Sequence, residues 1–238
     1  LIKTIGPNLR TLSLRGFSNL DDSVLSQIHS SCRNLTKLRI TLTTDTTDEG
    51  FASLFTNWAN PPLHNIDLSS NRDIDNQNPD GPEDQPIGLG AEGFAALMHH
   101  SGIKLRRLDI SACRHIQLQT LLDVFVEPGV SFPRLERVDM SFMRDVDDVV
   151  LAGLFRAAAG SLKRVELFGC FSVGTGVVIP SGVVIVGAPR LELLDGGMEL
   201  YGAGVEVHGM GAEEWENEIP ESIRREMEDE LDAMIVDE

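Results

Sequence analysis

An L-x-x-L-x-L pattern recurs six times along this chain, and no other feature constrains the fold as tightly. The copies are Leu9-Leu12-Leu14, Leu35-Leu38-Ile40, Leu63-Ile66-Leu68, Leu105-Leu108-Ile110, Leu135-Val138-Met140 and Leu162-Val165-Leu167. Their starts are 26, 28, 42, 30 and 27 residues apart. Within each copy the last two apolar residues are two positions apart, so both point to one face of a short strand. After each strand the apolar spacing changes to three and four, which is helical, as in Asp22–Ile28, Leu89–His100, Leu118–Phe125 and Asp148–Phe155. Asp22, Asp48 and either Asp147 or Asp148 stand where an N-cap acceptor belongs.

A strand-plus-helix unit repeated at roughly 20–29 residues is the signature of a leucine-rich repeat, and one unit alone cannot bury its apolar face. The expected fold is therefore an α/β leucine-rich-repeat solenoid, with a parallel β-sheet lining the concave side and helices on the convex side. The expected domains are repeats over 1–170, a β-rich C-terminal cap over 171–211 and an acidic amphipathic tail helix over 212–238. The cap is read from Val177–Gly187, two β-rich runs around a Pro-Ser-Gly turn. In the tail, Trp215, Ile219, Ile223, Met227 and Leu231 fall at steps of four, one apolar stripe on a helix. That helix packs on the cap, binds a partner or stays disordered; the stripe does not choose. The long interval between the third and fourth copies holds the polar segment 72–88, too poor in apolar residues to offset its ordering entropy, hence a mobile insertion.

Charge narrows the choice of partner. The net charge is −17. Residues 212–238 carry 12 acidic side chains against Arg224 and Arg225, a net of −10, leaving −7 for the rest. Such a balance argues against direct binding of undamaged DNA. No apolar run approaches the roughly 20 residues of a membrane span. Three cysteines, Cys32, Cys113 and Cys170, form no close pair, which favours a reducing compartment over a disulfide framework. The first repeat starts almost at Leu1, so the chain reads as the C-terminal piece of something longer.

No pattern for an active site emerges. There is no G-x-x-x-x-G-K-[ST], H-E-x-x-H or paired C-x-x-C. Gly174-Thr175-Gly176 and Gly202-Ala203-Gly204 lack a following helix to make a phosphate loop, and His99 and His100 are adjacent, hence on different helix faces. Cys113 and Cys170 follow the last strand leucine or isoleucine by three, the place of the repeat's buried Asn or Cys ladder. The expectation is a non-enzymatic binding protein with no catalytic residue, cofactor, metal or small-molecule ligand.

The concave face carries the candidate site. The outward position before the second apolar residue reads Thr11, Lys37, Asn65, Arg107, Arg137, Arg164; the one after it reads Ser13, Arg39, Asp67, Asp109, Asp139, Glu166. The last three repeats thus set a basic column, Arg107, Arg137 and Arg164, beside an acidic one, Asp109, Asp139 and Glu166. Either the columns satisfy each other by lateral ion pairs, or they form a polar recognition face for a protein partner. Trp58 and Phe142 are candidate anchors, each equally readable as core.

The stretch Leu162–Cys170 followed by Phe171-Ser172-Val173, and the copy Leu105–Cys113, resemble the cysteine-containing repeats of F-box-type ubiquitin ligase receptors. Phe17, Thr43 and Met143 depart from the ladder residue of that family, and no F-box is present. The last repeat and the Val-Pro-Gly-Val segment after it look like the leucine-rich-repeat subunits of fungal global-genome nucleotide-excision-repair complexes. That resemblance implies a nuclear damage-recognition factor with a Snf2-type ATPase and elongin/cullin components as partners. The alternative it leaves is an F-box-type substrate receptor outside DNA repair, nuclear or cytoplasmic.

Overall fold

The computed structural model describes residues 2–17, 20–43, 45–71 and 88–188. All of them belong to the first of two units into which the chain divides, Leu1–Val205 and Glu206–Glu238. Seven strands form one parallel sheet in chain order: β1 (Thr11–Arg15), β2 (Lys37–Thr41), β3 (Asn65–Asp67), β4 (Arg107–Asp109), β5 (Arg137–Asp139), β6 (Arg164–Glu166) and β7 (Val184–Val186). Helix α1 (Ile2–Ile5) precedes β1, and α2 (Asp22–Ser31), α3 (Asp48–Phe55), α4 (Ala91–Ser101), α5 (Leu118–Phe125) and α6 (Asp148–Ala157) follow β1 to β5 in turn. Strand order equal to chain order, with a helix crossing between neighbours, is the leucine-rich-repeat solenoid. The expected insertion over 72–88, Gly88 excepted, and the tail over 212–238 lie outside the described residues.

The repeat leucines do what their spacing dictates. Leu38, Ile40, Leu108, Ile110, Val165 and Leu167 are all at most 2% exposed, while the strand residues between them face away from the helices. Phenylalanines fill the wider middle of the core: Phe94 and Phe125 lie 6.1 Å apart, and Phe125 meets Phe132 edge-on at 5.8 Å. Trp58 belongs to this interior and not to the binding face: it is 5% exposed and packs on Phe55 and His100.

Each strand leaves the sheet through the same bend. The residue two beyond the last strand apolar position is left-handed in all six repeats: Gly16, Leu42, Ser70, Ala112, Phe142 and Gly169, with φ between 56° and 67°. Four of the six are not glycine, a conformation that costs roughly 1–2 kcal/mol for an L-residue. Cross-strand bonds hold it. Ser70 N donates to Ser111 O and Ala112 N to Ser141 O at 2.8 Å, and Phe142 N donates to Phe168 O at 2.6 Å.

The next residue is the ladder position, and its side chain closes an open carbonyl of the repeat before. The Cys113 thiol donates to Leu68 O at 3.0 Å and the Cys170 thiol to Met140 O at 3.1 Å. Asn71 Nδ2 does the same for Ile40 O at 2.6 Å, and its Oδ1 accepts from the Thr43 hydroxyl at 2.7 Å. All three cysteines are buried thiols outside any disulfide, and burial pushes the Cys170 thiol up to about 12. Two replacements at this position need no such bond: Met143 is buried as core, whereas Phe17 is 56% exposed.

Two local expectations are corrected. The N-caps of α2 and α3 are Asp21 and Thr47, one residue before the predicted Asp22 and Asp48; for α6 it is Asp147. Asp22, Asp48 and Asp148 instead reach forward into the next repeat. Asp22 accepts from the Thr47 amide and hydroxyl, Asp48 from the amides of Gly90, Glu92 and Gly93, and Asp148 from those of Gly174 and Gly176. The Gly174-Thr175-Gly176 segment therefore does hold an anion, and that anion is the protein's own carboxylate. The second correction concerns the β-rich segment. Only its latter run is a strand, because β7 pairs in parallel with β6 and Val177–Ile179 crosses back as irregular chain to allow it. Val183 and Ile185 then cover the core at 6% and 5% exposure.

Candidate protein-binding face

The sheet register places the two columns as continuous rows. Lys37, Asn65, Arg107, Arg137 and Arg164 are successive partners, and so are Arg39, Asp67, Asp109, Asp139 and Glu166. The rows end at β7, where Val184 and Val186 take the same places. Successive strands are about 4.8 Å apart, so each row brings like charges within a few ångströms of one another.

The two rows resolve this differently. In the acidic row a D-x-S sequence anchors each aspartate to its own chain. Asp67 Oδ1 accepts from the Ser69 amide and hydroxyl, Asp109 Oδ1 from those of Ser111, and Asp139 Oδ1 from the Ser141 amide. Both ends of the row meet cations. Arg39 Nε pairs with Asp67 Oδ2 at 2.6 Å across the β2–β3 step, and Arg164 Nε pairs with Glu166 Oε1 at 2.8 Å within β6. In the middle of the row the carboxyls are pushed upward. Burial, then the charge of Glu166, lifts the Asp139 carboxyl to about 7; burial, then the charges of Asp139 and Asp67, raises that of Asp109 well above its ordinary value. At neutral pH this face is thus less negative than its carboxylate count implies.

A third row, one residue before the basic column, was not singled out from the sequence. Arg10, Thr36, His64, Arg106, Glu136 and Lys163 are joined by amide-to-carbonyl bonds from each strand entry to the previous one. Within it the Glu136 carboxylate is gripped from both sides: by Arg106 through Nε at 2.9 Å and Nη2 at 2.5 Å, and by Lys163 Nζ at 3.3 Å. The hydrogen bond from Arg106 chiefly holds its carboxyl below the usual carboxylate range; burial opposes it, and the bond from Lys163 adds to the lowering. The signal was present as a third charged position per repeat, hidden because Glu136 breaks the sign. Phe142 sits half-buried at the strand exits, its ring over Gly169.

Among the described residues, no three His, Cys, Asp or Glu side chains come together so as to hold a metal ion. None of their helices is long and apolar enough to cross a membrane.

Comparison with known proteins gives the repeat face a context. Over 171 residues, 71% of this chain, the sequence is 25% identical to the DNA repair protein rhp7 of Schizosaccharomyces pombe. The chain is similar to rhp7. It spans 27% of that protein's length. Its fold matches a chain in the crystal structure of the Rad7 and Elc1 complex in yeast, with a TM-score of 0.63 and 20% identity over 80% of this chain and 43% of the other. No protein-family model matches. The likeness to rhp7 is to a protein named for DNA repair, and the solved structure repeats the parallel strand-and-helix order seen here.

Proposed function

We propose that this chain is the leucine-rich-repeat part of a non-enzymatic, protein-binding subunit of a nuclear DNA nucleotide-excision-repair ubiquitin ligase complex. The observation that carries the reading is the identity to rhp7 across most of the repeats. A match in fold to a chain solved together with Elc1 supports an elongin-type partner, and the remaining expected partners are cullin components and a Snf2-type ATPase. The role of the repeats in such a complex is to present side chains on a rigid sheet. Cross-strand bonds at both ends of each strand fix where Arg107, Arg137, Arg164, Asp109, Asp139 and Glu166 stand. The test is purification of the tagged full-length protein followed by immunoblotting for elongin C and for a Skp-type adaptor. Elongin C in the eluate is the expected result. A Skp-type adaptor in its place would assign the chain to F-box receptors instead.

A further inference from the structure

We propose that the strand-entry rim of repeats four to six docks an acidic, carboxylate-rich segment of a protein partner; this rests on the protein-binding reading above and names the chemistry of that partner. Charge in these repeats is sorted by position along the strand. Where the strands begin stand Lys104, Arg106 and Arg107, then Arg134 and Arg137, then Lys163 and Arg164, with Glu136 the one acid in the same positions. Where the strands end and the next helices begin, acids outnumber bases: Asp109, Asp139, Glu166 and the Asp145, Asp147, Asp148 group stand against Arg114 and Arg144.

Some basic groups elsewhere in the repeats are explained by the fold itself. Arg33 donates to His29 O and Arg156 to Val126 O, closing helix ends. Lys104, Arg107 and Arg134 have no such task and make no ion pair among the described residues. Glu136 shows what the rim does with a carboxylate: it seats one between cations of the two flanking strands. One residue further in, Arg137 rather than a carboxylate stands between Arg107 and Arg164, and Arg164 also pairs with Glu166. A guanidinium fork is suited to take a carboxylate from a partner.

The width of the strip selects a peptide over a duplex. The acidic row lies two residues further along each strand, about 7 Å away. An extended chain fits within that distance, whereas a DNA duplex would lie over the carboxylates. The net charge of −17 also opposes a polyanion of that size.

The probe is a short fluorescein-labelled peptide of alternating Glu and Ser, titrated by anisotropy with this chain, beside a duplex DNA of equal charge. The peptide binds with an affinity that falls as salt rises. Arg106→Glu with Arg107→Glu and Lys163→Glu weakens it about tenfold or more, with the fold verified by circular dichroism. Glu136→Gln tightens it, since the internal competitor is gone, and Lys3→Glu, in α1, leaves it unchanged. Absence of peptide binding at low salt, indifference to the triple reversal, weakening by Glu136→Gln or tighter binding of the duplex each overturns the proposal. Elongin C co-purification is scored separately: the docking proposal can fail while that result stands, and the reverse.

Discussion

The carboxylate of Asp48, at the start of α3, caps the helix of the following repeat by accepting the amide of Gly90 at 2.8 Å. It also takes the amides of Gly93 at 2.8 Å and Glu92 at 3.0 Å, so one side chain satisfies three of the four open donors of α4, whose own N-cap residue has no side chain to offer. The contact needs glycine on the receiving side: a Cβ on Gly90 would stand 2.8 Å from Asp48 Oδ2, and one on Gly93 would stand 2.7 Å from Oδ1. Asp22 meets Gly50 in the same way. These bonds lock the helix spacing of adjacent repeats, and with it the register of the sheet face.

Asp48→Ala is therefore expected to cost more than loss of an ordinary cap. It strands buried amides at about 1–3 kcal/mol each, partly relieved by water, so a total near 2–4 kcal/mol is expected. Asp21→Ala, which removes a solvent-exposed cap from α2, should cost less. Urea denaturation followed by circular dichroism compares the two. Equal midpoints would show that the forward contact contributes nothing beyond capping.

Core truncation and surface truncation should separate cleanly. Leu167→Ala deletes a side chain with 0% exposure between the β6 and β7 layers and should lose roughly 2–5 kcal/mol. Val178→Ala, at a residue 87% exposed on the crossing to β7, should change stability by less than about 0.5 kcal/mol. A large effect at Val178 would mean that this surface is covered in the folded protein.

The acidic row should give the protein a pH dependence opposite to that of most carboxylates. Asp139 releases its proton near 7 when folded and near 3.8 when unfolded. The folded state binds that proton more tightly, so this group's contribution to stability is greatest below about 4 and is lost as the pH rises to 7 and beyond. Asp139→Asn should raise the melting temperature at pH 8 and flatten its change between pH 5 and 8. His100 acts in the other direction. Its ring donates from Nε2 to Asn60 O and accepts at Nδ1 from Ser101, and burial lowers its pKa, so stability falls as acid protonates it. Thermal melts of Asp139→Asn and His100→Gln at several pH values separate the two slopes.

The buried thiols should be chemically silent in the folded protein. Cys170 is pushed up to about 12, and Cys32 is also raised, in both cases chiefly by burial. At pH 8 a disulfide reagent should modify none of the three cysteines on a timescale of minutes, and all three after unfolding in urea. Rapid labelling of Cys170 in the native protein would mean that the last repeat opens locally.

Much of this architecture is written in one dimension. Strand positions, the identity of Leu108 and Leu167 as core, the helix at Leu118–Phe125 and the ladder role of Cys113 and Cys170 all follow from spacing, because each depends on which side of a short element a residue faces. The two rows from Arg107 and Asp109 were legible for the same reason: parallel strands in register convert a repeated position into a spatial row. What spacing cannot encode is the interaction of one repeat with the next. Whether Asp48 caps its own helix or that of the following repeat depends on a contact across 42 residues. The left-handed bend at Leu42, Ser70, Ala112 and Phe142 is imposed by cross-strand bonds on residues that do not favour it. The chain after Cys170 reads as two β-rich runs around a turn by local composition, yet only the second becomes a strand, because the open edge of β6 offers the bonds for β7 and the exposed core of the last repeat must be covered. Sequence periodicity determined the elements and their faces; tertiary packing decided which carboxylates keep their protons, which are gripped by cations and where the repeats end.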